Sequence, residues 1–214
     1  MSMYRYGLPL VIMMLVSCAA PRYFSVPGDN VYLLADYQDA IRLWTAHDES
    51  HHRLIGIADL NAVYRSWEVR QAFIQLVKNR WMPSEEIISR SIEREMHGFE
   101  NGHEFLLGMY CFEESWQRMT GIDPVWHLRL CSDSGGPVDP GLIEKVEPKA
   151  EESWMYLPDI THGRSVYRVV FPKSDAMGRA VIDRSTRCIA LYCDSILCNL
   201  TLRWKLGPVP ETLR

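Results

Sequence analysis

Residues 187–206 read Arg-Cys-Ile-Ala-Leu-Tyr-Cys-Asp-Ser-Ile-Leu-Cys-Asn-Leu-Thr-Leu-Arg-Trp-Lys-Leu, with apolar side chains recurring at every second position on either side of a central break. The positions that define this alternation are Ile189, Leu191 and Cys193 before the break, and Cys198, Leu200, Leu202 and Trp204 after it. A period of two is typical of strands that bury one face. The stretch therefore predicts two antiparallel β-strands joined by a short turn.

The same period of two extends back to residue 103, whereas the first half of the chain follows helical spacing. Further strands are predicted over residues 103–112, 125–131 and 165–171, with shorter ones over 142–146 and 180–183. Helices are predicted from Tyr37 to about His47, over 66–81 and from Glu85 to about Phe99, with one strand over 53–64; residues 151–156 suit a short helix. An α+β fold follows, with N-terminal helices packed on a mainly antiparallel β-sheet or sandwich formed by the second half.

The composition is that of an ordinary globular protein. Of the 214 residues, 47% are hydrophobic and 23% are charged, and 23 Lys and Arg against 27 Asp and Glu give a net charge of −4. A disordered chain would combine low hydrophobicity with high net charge, so that class is excluded. The acidic balance also argues against nucleic acid as a partner, because such affinity depends on neutralising phosphates.

The N-terminus has the charge and hydropathy pattern of a targeting signal. Arg5 and the amino terminus precede an apolar run of nine residues from Leu8 to Val16. Nine residues rise only ~14 Å as a helix, against a hydrocarbon core of ~30 Å, so the run is too short for a stable membrane span. A charged start followed by a short apolar run is typical of a secretory signal peptide.

The end of this run, Leu15-Val16-Ser17-Cys18, resembles the lipobox of bacterial lipoprotein precursors. In that family the cysteine is acylated and the peptide before it is removed. The resemblance implies a signal peptide over residues 1–17, a lipidated Cys18 and tether over 18–31, and a single α+β domain over 32–214. It also implies that the lipid on Cys18 binds the membrane. Because Ala19 follows the cysteine, the sorting pattern of that family points to the outer membrane.

The predicted layout is similar to that of poorly characterised bacterial envelope lipoproteins, which have a helical first half and a β-rich second half. This similarity implies no activity. Together with the lipobox, it predicts a lipid-anchored bacterial envelope protein with a non-catalytic binding or structural role. We expect no cofactor, and we expect an envelope protein or a polymer of that compartment as the molecular partner.

Export would allow disulfides to form among the five cysteines other than Cys18. The predicted hairpin places Cys193 and Cys198 opposite each other on its inward face, which favours a bridge between them. A bridge between Cys111 and Cys131 is the second candidate. Because five is an odd number, at least one thiol stays free or pairs elsewhere. The alternative is that all five are small buried hydrophobic residues.

An exported serine hydrolase is the alternative from the enzyme class. Residues 130–137, Leu-Cys-Ser-Asp-Ser-Gly-Gly-Pro, resemble the nucleophile motif of chymotrypsin-like proteases, and Thr45-Ala46-His47 resembles their histidine motif. The resemblance implies that Ser134 is the nucleophile and His47 its general base. That family is built from two β-barrels, however, whereas two helices are predicted over residues 66–99. The other interpretation of the Ser-Asp-Ser-Gly-Gly-Pro segment is a turn built from the residues that turns prefer.

A metal-binding envelope protein is the third hypothesis. Residues 47–52 read His-Asp-Glu-Ser-His-His. On a helix, His47 and His51 would share a face, as metal-binding pairs do. The alternative is a solvated helix end, where histidine is favoured.

Two further groups of residues are candidates for a site. Around the Asn101-Gly102 turn, the spacing suits a small ion-pair cluster, a metal site or an acid–base pair; the residues are Glu95, His97, His103 and Glu104. The loop residues Trp116 and Trp154 suit a protein or saccharide contact, with a place at the edge of the core as the alternative.

Overall fold

The computed structural model describes residues 22–29, 37–52, 55–81, 83–147 and 163–208. The helices in this part of the chain are α1 (Tyr37–Trp44), α2 (Trp67–Trp81) and α3 (Glu85–Asn101). The strands are β1 (Thr45–His52), β2 (Ile55–Tyr64), β3 (His103–Cys111), β4 (His127–Ser132), β5 (Leu142–Val146), β6 (Ser165–Phe171), β7 (Cys188–Asp194) and β8 (Asn199–Lys205). None of these helices has the length and apolar composition that crossing a bilayer requires.

The strands form two antiparallel sheets, so the predicted α+β class is confirmed. The larger sheet has five strands in the order β1-β2-β3-β6-β5, and the smaller has three in the order β4-β7-β8. Strands β1 and β2 belong to the first half of the chain and lie between α1 and α2 in the sequence. The strand predicted over residues 53–64 is thus confirmed as β2, whereas β1 was not predicted, so the first half contributes more to the sheet than expected. Residues 180–183 form only an isolated bridge at Ala180, and residues 151–156 lie outside the described residues.

The two faces of the larger sheet differ in polarity. One face is buried and apolar; it includes Ala58, Leu60, Ala62, Phe105, Leu107, Met109, Tyr167, Val169 and Phe171. The strand register places charged side chains on the other face, namely Asp59 on β2, Glu104 on β3, Arg168 on β6 and Glu144 on β5. Alternation along each strand produces this separation. The charged groups of the central strands therefore share one face of the sheet.

Helix α1 ends at Trp44, three residues before the predicted end. The indole Nε1 of Trp44 donates to Glu68 Oε2 at 2.8 Å, and the Trp44 carbonyl accepts from Trp204 Nε1 at 2.8 Å. The last carbonyls of a helix lack intrahelical partners, and Trp204 supplies one here. The next residues pair with β2 as strand β1, so the prediction that His47 lies in a helix was wrong.

The hairpin of β7 and β8 is confirmed, but its register differs from the predicted one. Cys193 lies opposite Leu200, and Asp194 lies opposite Asn199. The turn therefore takes residues 195–198, and Ser195 N donates to the Cys198 carbonyl at 3.1 Å. The prediction that Cys193 and Cys198 lie directly opposite each other was wrong for this reason.

The N-terminal segment packs against the domain earlier than predicted. Phe24, inside the predicted tether, is buried, and its ring stacks on Phe99 with centroids 6.3 Å apart. Asp29 Oδ1 accepts from Arg184 Nη2 at 2.6 Å. At least residues 24–29 of the predicted tether are therefore attached to the folded domain.

Gly102 lies at the junction between α3 and β3, as predicted for the end of this helix. A Cβ at this position would lie 2.5 Å from the Phe171 carbonyl oxygen and 2.6 Å from Val170 Cγ1 on β6. Because φ is 166°, the backbone is extended, and the close approach to β6 is what requires glycine.

We predict that Gly102→Ala destabilises the protein by about 1–3 kcal/mol, because the added methyl group forces β3 and β6 apart. The free energy of unfolding in urea measures the effect. Gly141→Ala is the matched control, since the nearest atom to its added Cβ would be the Val170 carbonyl oxygen at 3.8 Å. Equal stability of the two variants would contradict the prediction.

Candidate functional site

Four buried side chains of alternating charge form a closed ring between the helices and the larger sheet. They are Arg65 just after β2, Arg70 on α2, Glu95 on α3 and Glu104 on β3, and they are 1–8% exposed. Each arginine donates to both glutamates, over N···O distances of 2.6–2.9 Å. We call these four residues the Arg–Glu ring. Its charges sum to zero, and its members join two helices to the sheet.

Backbone contacts and one glycine position the Arg–Glu ring. Arg65 N donates to the Glu104 carbonyl at 2.9 Å, and Arg70 Nε donates to the Arg65 carbonyl at 3.1 Å. On α3, Gly98 faces the ring, and a Cβ there would lie 2.7 Å from Arg70 Nη1. The absence of a side chain at Gly98 thus leaves room for the guanidinium group.

A third arginine extends the Arg–Glu ring along the sheet. Arg168 Nε on β6 donates to Glu104 Oε1 at 2.7 Å. Burial alone would raise the pKa of Glu104, but the charges of Arg65, Arg70 and Arg168 outweigh burial and hold this pKa at about 2. Glu104 is therefore ionised throughout the neutral pH range.

A cavity of about 510 Å³ lies against the Arg–Glu ring. Its other lining residues include Arg94, Lys145 and Arg168, together with Glu144 and Glu147. All four carboxylate oxygens of the ring accept hydrogen bonds from arginines. The ring thus forms a fixed, charged floor of the cavity. Its carboxylates already accept hydrogen bonds from arginines and are not placed to accept a proton from a substrate.

The sequence-based expectation of an ion-pair cluster near the Asn101-Gly102 turn is confirmed for its two glutamates. The two histidines of that expectation lie elsewhere. His103 belongs to the apolar face, where its Nδ1 lies 3.0 Å from Tyr64 Oη and burial lowers its pKa to about 3. His97 is exposed, with Nδ1 3.0 Å from Asn101 Nδ2. Sequence reasoning missed Arg65 and Arg70, which no local spacing connects to the glutamates.

The serine of the protease-like motif lies in a turn after β4. Ser132 Oγ accepts from the backbone N of Ser134 at 3.2 Å and of Gly135 at 2.9 Å, as in turns stabilised by serine. Ser134 Oγ contacts Thr186 Oγ1 and lies 3.4 Å from the Val181 carbonyl. Within the described residues, the structure does not bring Ser134 into hydrogen-bonding contact with a histidine.

His47 lies on β1 of the larger sheet, whereas Ser134 follows β4 of the smaller sheet. Its Nε2 is 3.1 Å from Asp59 Oδ1, and Asp59 also accepts from Arg164. His51, the other predicted metal ligand, lies with Nε2 3.9 Å from Glu49 Oε2. Both histidines therefore lie on the β1–β2 pair, each beside a carboxylate, and their setting is a strand and not the predicted helix.

The cysteines after residue 22 are free thiols in this structure. Cys111 and Cys193 are fully buried, and burial raises the pKa of both, with further increases from interaction with Cys198. Cys131 lies apart on β4 and is half-buried. The Cys193–Cys198 and Cys111–Cys131 bridges stay predictions, and the lipidation candidate Cys18 lies outside the described residues.

The remaining candidate, Trp116, is partly buried against the core, and its carbonyl accepts from Trp126 Nε1 at 2.6 Å. Trp154 lies outside the described residues.

The chain matches no protein-family model, no curated protein and no solved structure. No activity is therefore carried over from a relative.

We predict that Glu104→Gln lowers the free energy of unfolding at pH 7 by about 3–5 kcal/mol, because it leaves buried arginines without their counter-charge. The difference in the free energy of unfolding between the wild type and Glu104→Gln should decrease as the pH falls. The pKa of Glu104 is about 2 in the folded protein against an ordinary value of 4.5, so its stabilisation is complete above pH 4.5 and is lost between pH 4.5 and 2. Urea unfolding at several pH values measures both effects.

Glu86→Gln is the control for this variant, since the Glu86–Arg90 pair lies on the exposed surface of α3. Exposed pairs contribute about 0–1 kcal/mol, so its loss should be small at every pH. The role assigned to the ring would be contradicted if Glu104→Gln lost as little stability as Glu86→Gln. It would also be contradicted if the loss of stability in Glu104→Gln were the same at pH 7 and pH 3.

Proposed function

We propose that this chain is a lipid-anchored bacterial envelope protein with a non-catalytic binding or structural role, and that the cavity against the Arg–Glu ring is its binding site. The observation that carries the binding proposal is the ring itself. Its carboxylates are fully engaged and its charges cancel, which suits a rigid recognition surface better than a reactive centre. The partner would be an envelope protein or a polymer of the same compartment.

The proposed anchor is supported by the sequence Leu15-Val16-Ser17-Cys18 after a short apolar run. Several acyl chains on one cysteine would hold the protein stably, whereas a single chain binds membranes only marginally. Placement in the outer membrane is part of the same proposal and is supported by Ala19 after the cysteine. The membrane is then a partner through the lipid alone.

We further infer that the two sheets pack face to face as a sandwich, with the charged face of the larger sheet directed away from the smaller one. Supporting contacts join the two sheets: Phe105 on β3 and Trp204 on β8 have ring centroids 5.4 Å apart. Both side chains are fully buried. This arrangement would leave Glu104, Arg168 and the cavity on the side available to a partner.

The serine hydrolase alternative receives less support from the geometry. Ser134 Oγ is engaged by Thr186 within a turn, and His47 is engaged by Asp59 on another sheet. A serine nucleophile needs a base within hydrogen-bond reach. We therefore favour the non-catalytic role.

The anchor is tested by intact mass and membrane fractionation of the wild-type chain and Cys18→Ala in a bacterial host. We expect the wild type to begin at Cys18, to carry added acyl mass and to sediment with membranes, while Cys18→Ala lacks the acyl mass. An unmodified full-length wild-type chain in the soluble fraction would overturn the proposed anchor and location.

The binding site is tested by photo-crosslinking in cells, with a photoreactive amino acid at Glu144 beside the cavity. Glu86 on the exposed surface of α3 serves as the matched control position, because both glutamates are exposed and neither is buried in the ring. We expect a discrete adduct from position 144 that is absent from position 86. The same adducts from both positions, or none from position 144, would contradict binding at the cavity.

A further inference from the structure

Three side chains with metal-binding chemistry converge on the β1–β2 pair. In the antiparallel register, Glu49 on β1 lies directly opposite Asp59 on β2, and His47 is two residues from Glu49 on the same face. His47 Nε2 is 3.1 Å from Asp59 Oδ1. One donor atom from each of these three residues lies within 4.8 Å of the other two. The sequence-based pair of His47 and His51 did not include the two carboxylates, because the β2 strand supplies one of them.

The donor spacing is close to that of a coordination shell. Zinc binds imidazole nitrogen and carboxylate oxygen at ~2.0–2.2 Å, so neighbouring donors around a tetrahedral ion lie ~3.3–3.6 Å apart. Small rotations of His47 and Glu49, which are both exposed, would bring the three donors to a common ion. Imidazole favours zinc, copper and nickel over magnesium and calcium. The donor set therefore fits a divalent transition-metal ion.

A second imidazole lies within reach of the same position. His51 Nε2 is 3.9 Å from Glu49 Oε2, and the strand register shifts between Ser50 and His51. Such irregularities redirect side chains and are frequent beside functional sites. His51 is exposed and lies opposite Gly56, which carries no side chain of its own. Rotation of His51 would supply a fourth donor.

Arg164 holds Asp59 in place from the side of β6. Its Nη1 and Nη2 donate to Asp59 Oδ1 and Oδ2 at 3.0 and 2.5 Å. A carboxylate oxygen has two lone pairs, so Oδ1 can accept from Arg164 and also bind a metal ion. Hydrogen bonding to a ligating carboxylate is a common way to orient it. The formal charges of Glu49, Asp59 and Arg164 sum to −1, which attracts a cation.

We propose that His47, Glu49 and Asp59 form a binding site for one divalent transition-metal ion of the Zn²⁺ type, with His51 as an additional ligand and Arg164 as a positioning residue. The site goes beyond the proposed anchor and the ring cavity, since it shares no residue with either. It lies on the same face of the larger sheet as Glu104. Tyr110, which pairs with Asp59, stands six residues from Glu104 along β3, a separation of about 20 Å.

The test is a titration of the purified full-length chain with ZnCl₂ by calorimetry, after removal of metal with a chelator. We expect one ion per chain and an affinity that falls at least ~10-fold in each of His47→Gln and Asp59→Asn. His97→Gln is the matched control, because His97 is an exposed histidine on α3 outside the cluster, and it should bind zinc as the wild type does. Glu49→Gln provides a third variant, and urea unfolding confirms that each variant is folded.

Zinc binding by thiols must be distinguished from binding at this cluster. The titration is therefore repeated after alkylation of the accessible cysteines, and with Co²⁺, whose absorption reveals thiolate ligands. The proposal expects binding that survives alkylation and a Co²⁺ spectrum without thiolate bands. Absence of binding up to ~1 mM Zn²⁺, or unchanged affinity in folded His47→Gln and Asp59→Asn, would overturn the proposal.

Discussion

The Arg–Glu ring imposes the strictest physical constraint on this fold. Removing a charged side chain from water costs several kcal/mol per ion, and the cost is offset only when the geometry supplies several short hydrogen bonds. Arg65 and Arg70 meet that condition because each contacts both Glu95 and Glu104. The ring can close only when α2, α3 and β3 hold fixed positions relative to one another. It therefore specifies the packing of the helices as well as contributing to it.

The same constraint shapes the surface that surrounds the ring. Glu104 is held from three sides by arginines, including Arg168 on β6. Its neighbours at the cavity, Glu144 and Lys145, come from β5, which pairs with β6. The floor of the cavity is thus rigid, while its rim carries long, exposed side chains that can adapt. Such a combination favours recognition of a charged or polar group without large rearrangement.

Hydrophobic periodicity predicted the elements that bury a continuous apolar stripe, such as α2, β3 and the β7–β8 hairpin. It also predicted α3, although that helix buries only Glu95 and Phe99 and leaves Ile92 and Met96 exposed. It missed β1, since residues 45–52 are mostly polar and become a strand only by pairing with β2. Only the two glutamates of the Arg–Glu ring could be predicted from the sequence, because Glu95 and Glu104 flank one turn. Their arginines lie 25–39 residues away in the chain, and only the tertiary fold connects them to the glutamates. The Cys193 register failed by two residues because apolar alternation fixes the face of a strand and leaves the turn length open.

The burial of Phe24 has a mechanical consequence. Phe24 lies six positions after Cys18, and six extended residues span at most about 20 Å. Under the proposed lipidation, this linker is shorter than the diameter of the domain. A chain of this size has a radius of gyration of about 16 Å, and the domain is more than twice that radius across. The domain would stay next to the bilayer in a narrow range of orientations, with the end that holds Phe24 nearest to the lipid. A ligand would then have to bind at the membrane surface, because the domain could not move far from the bilayer.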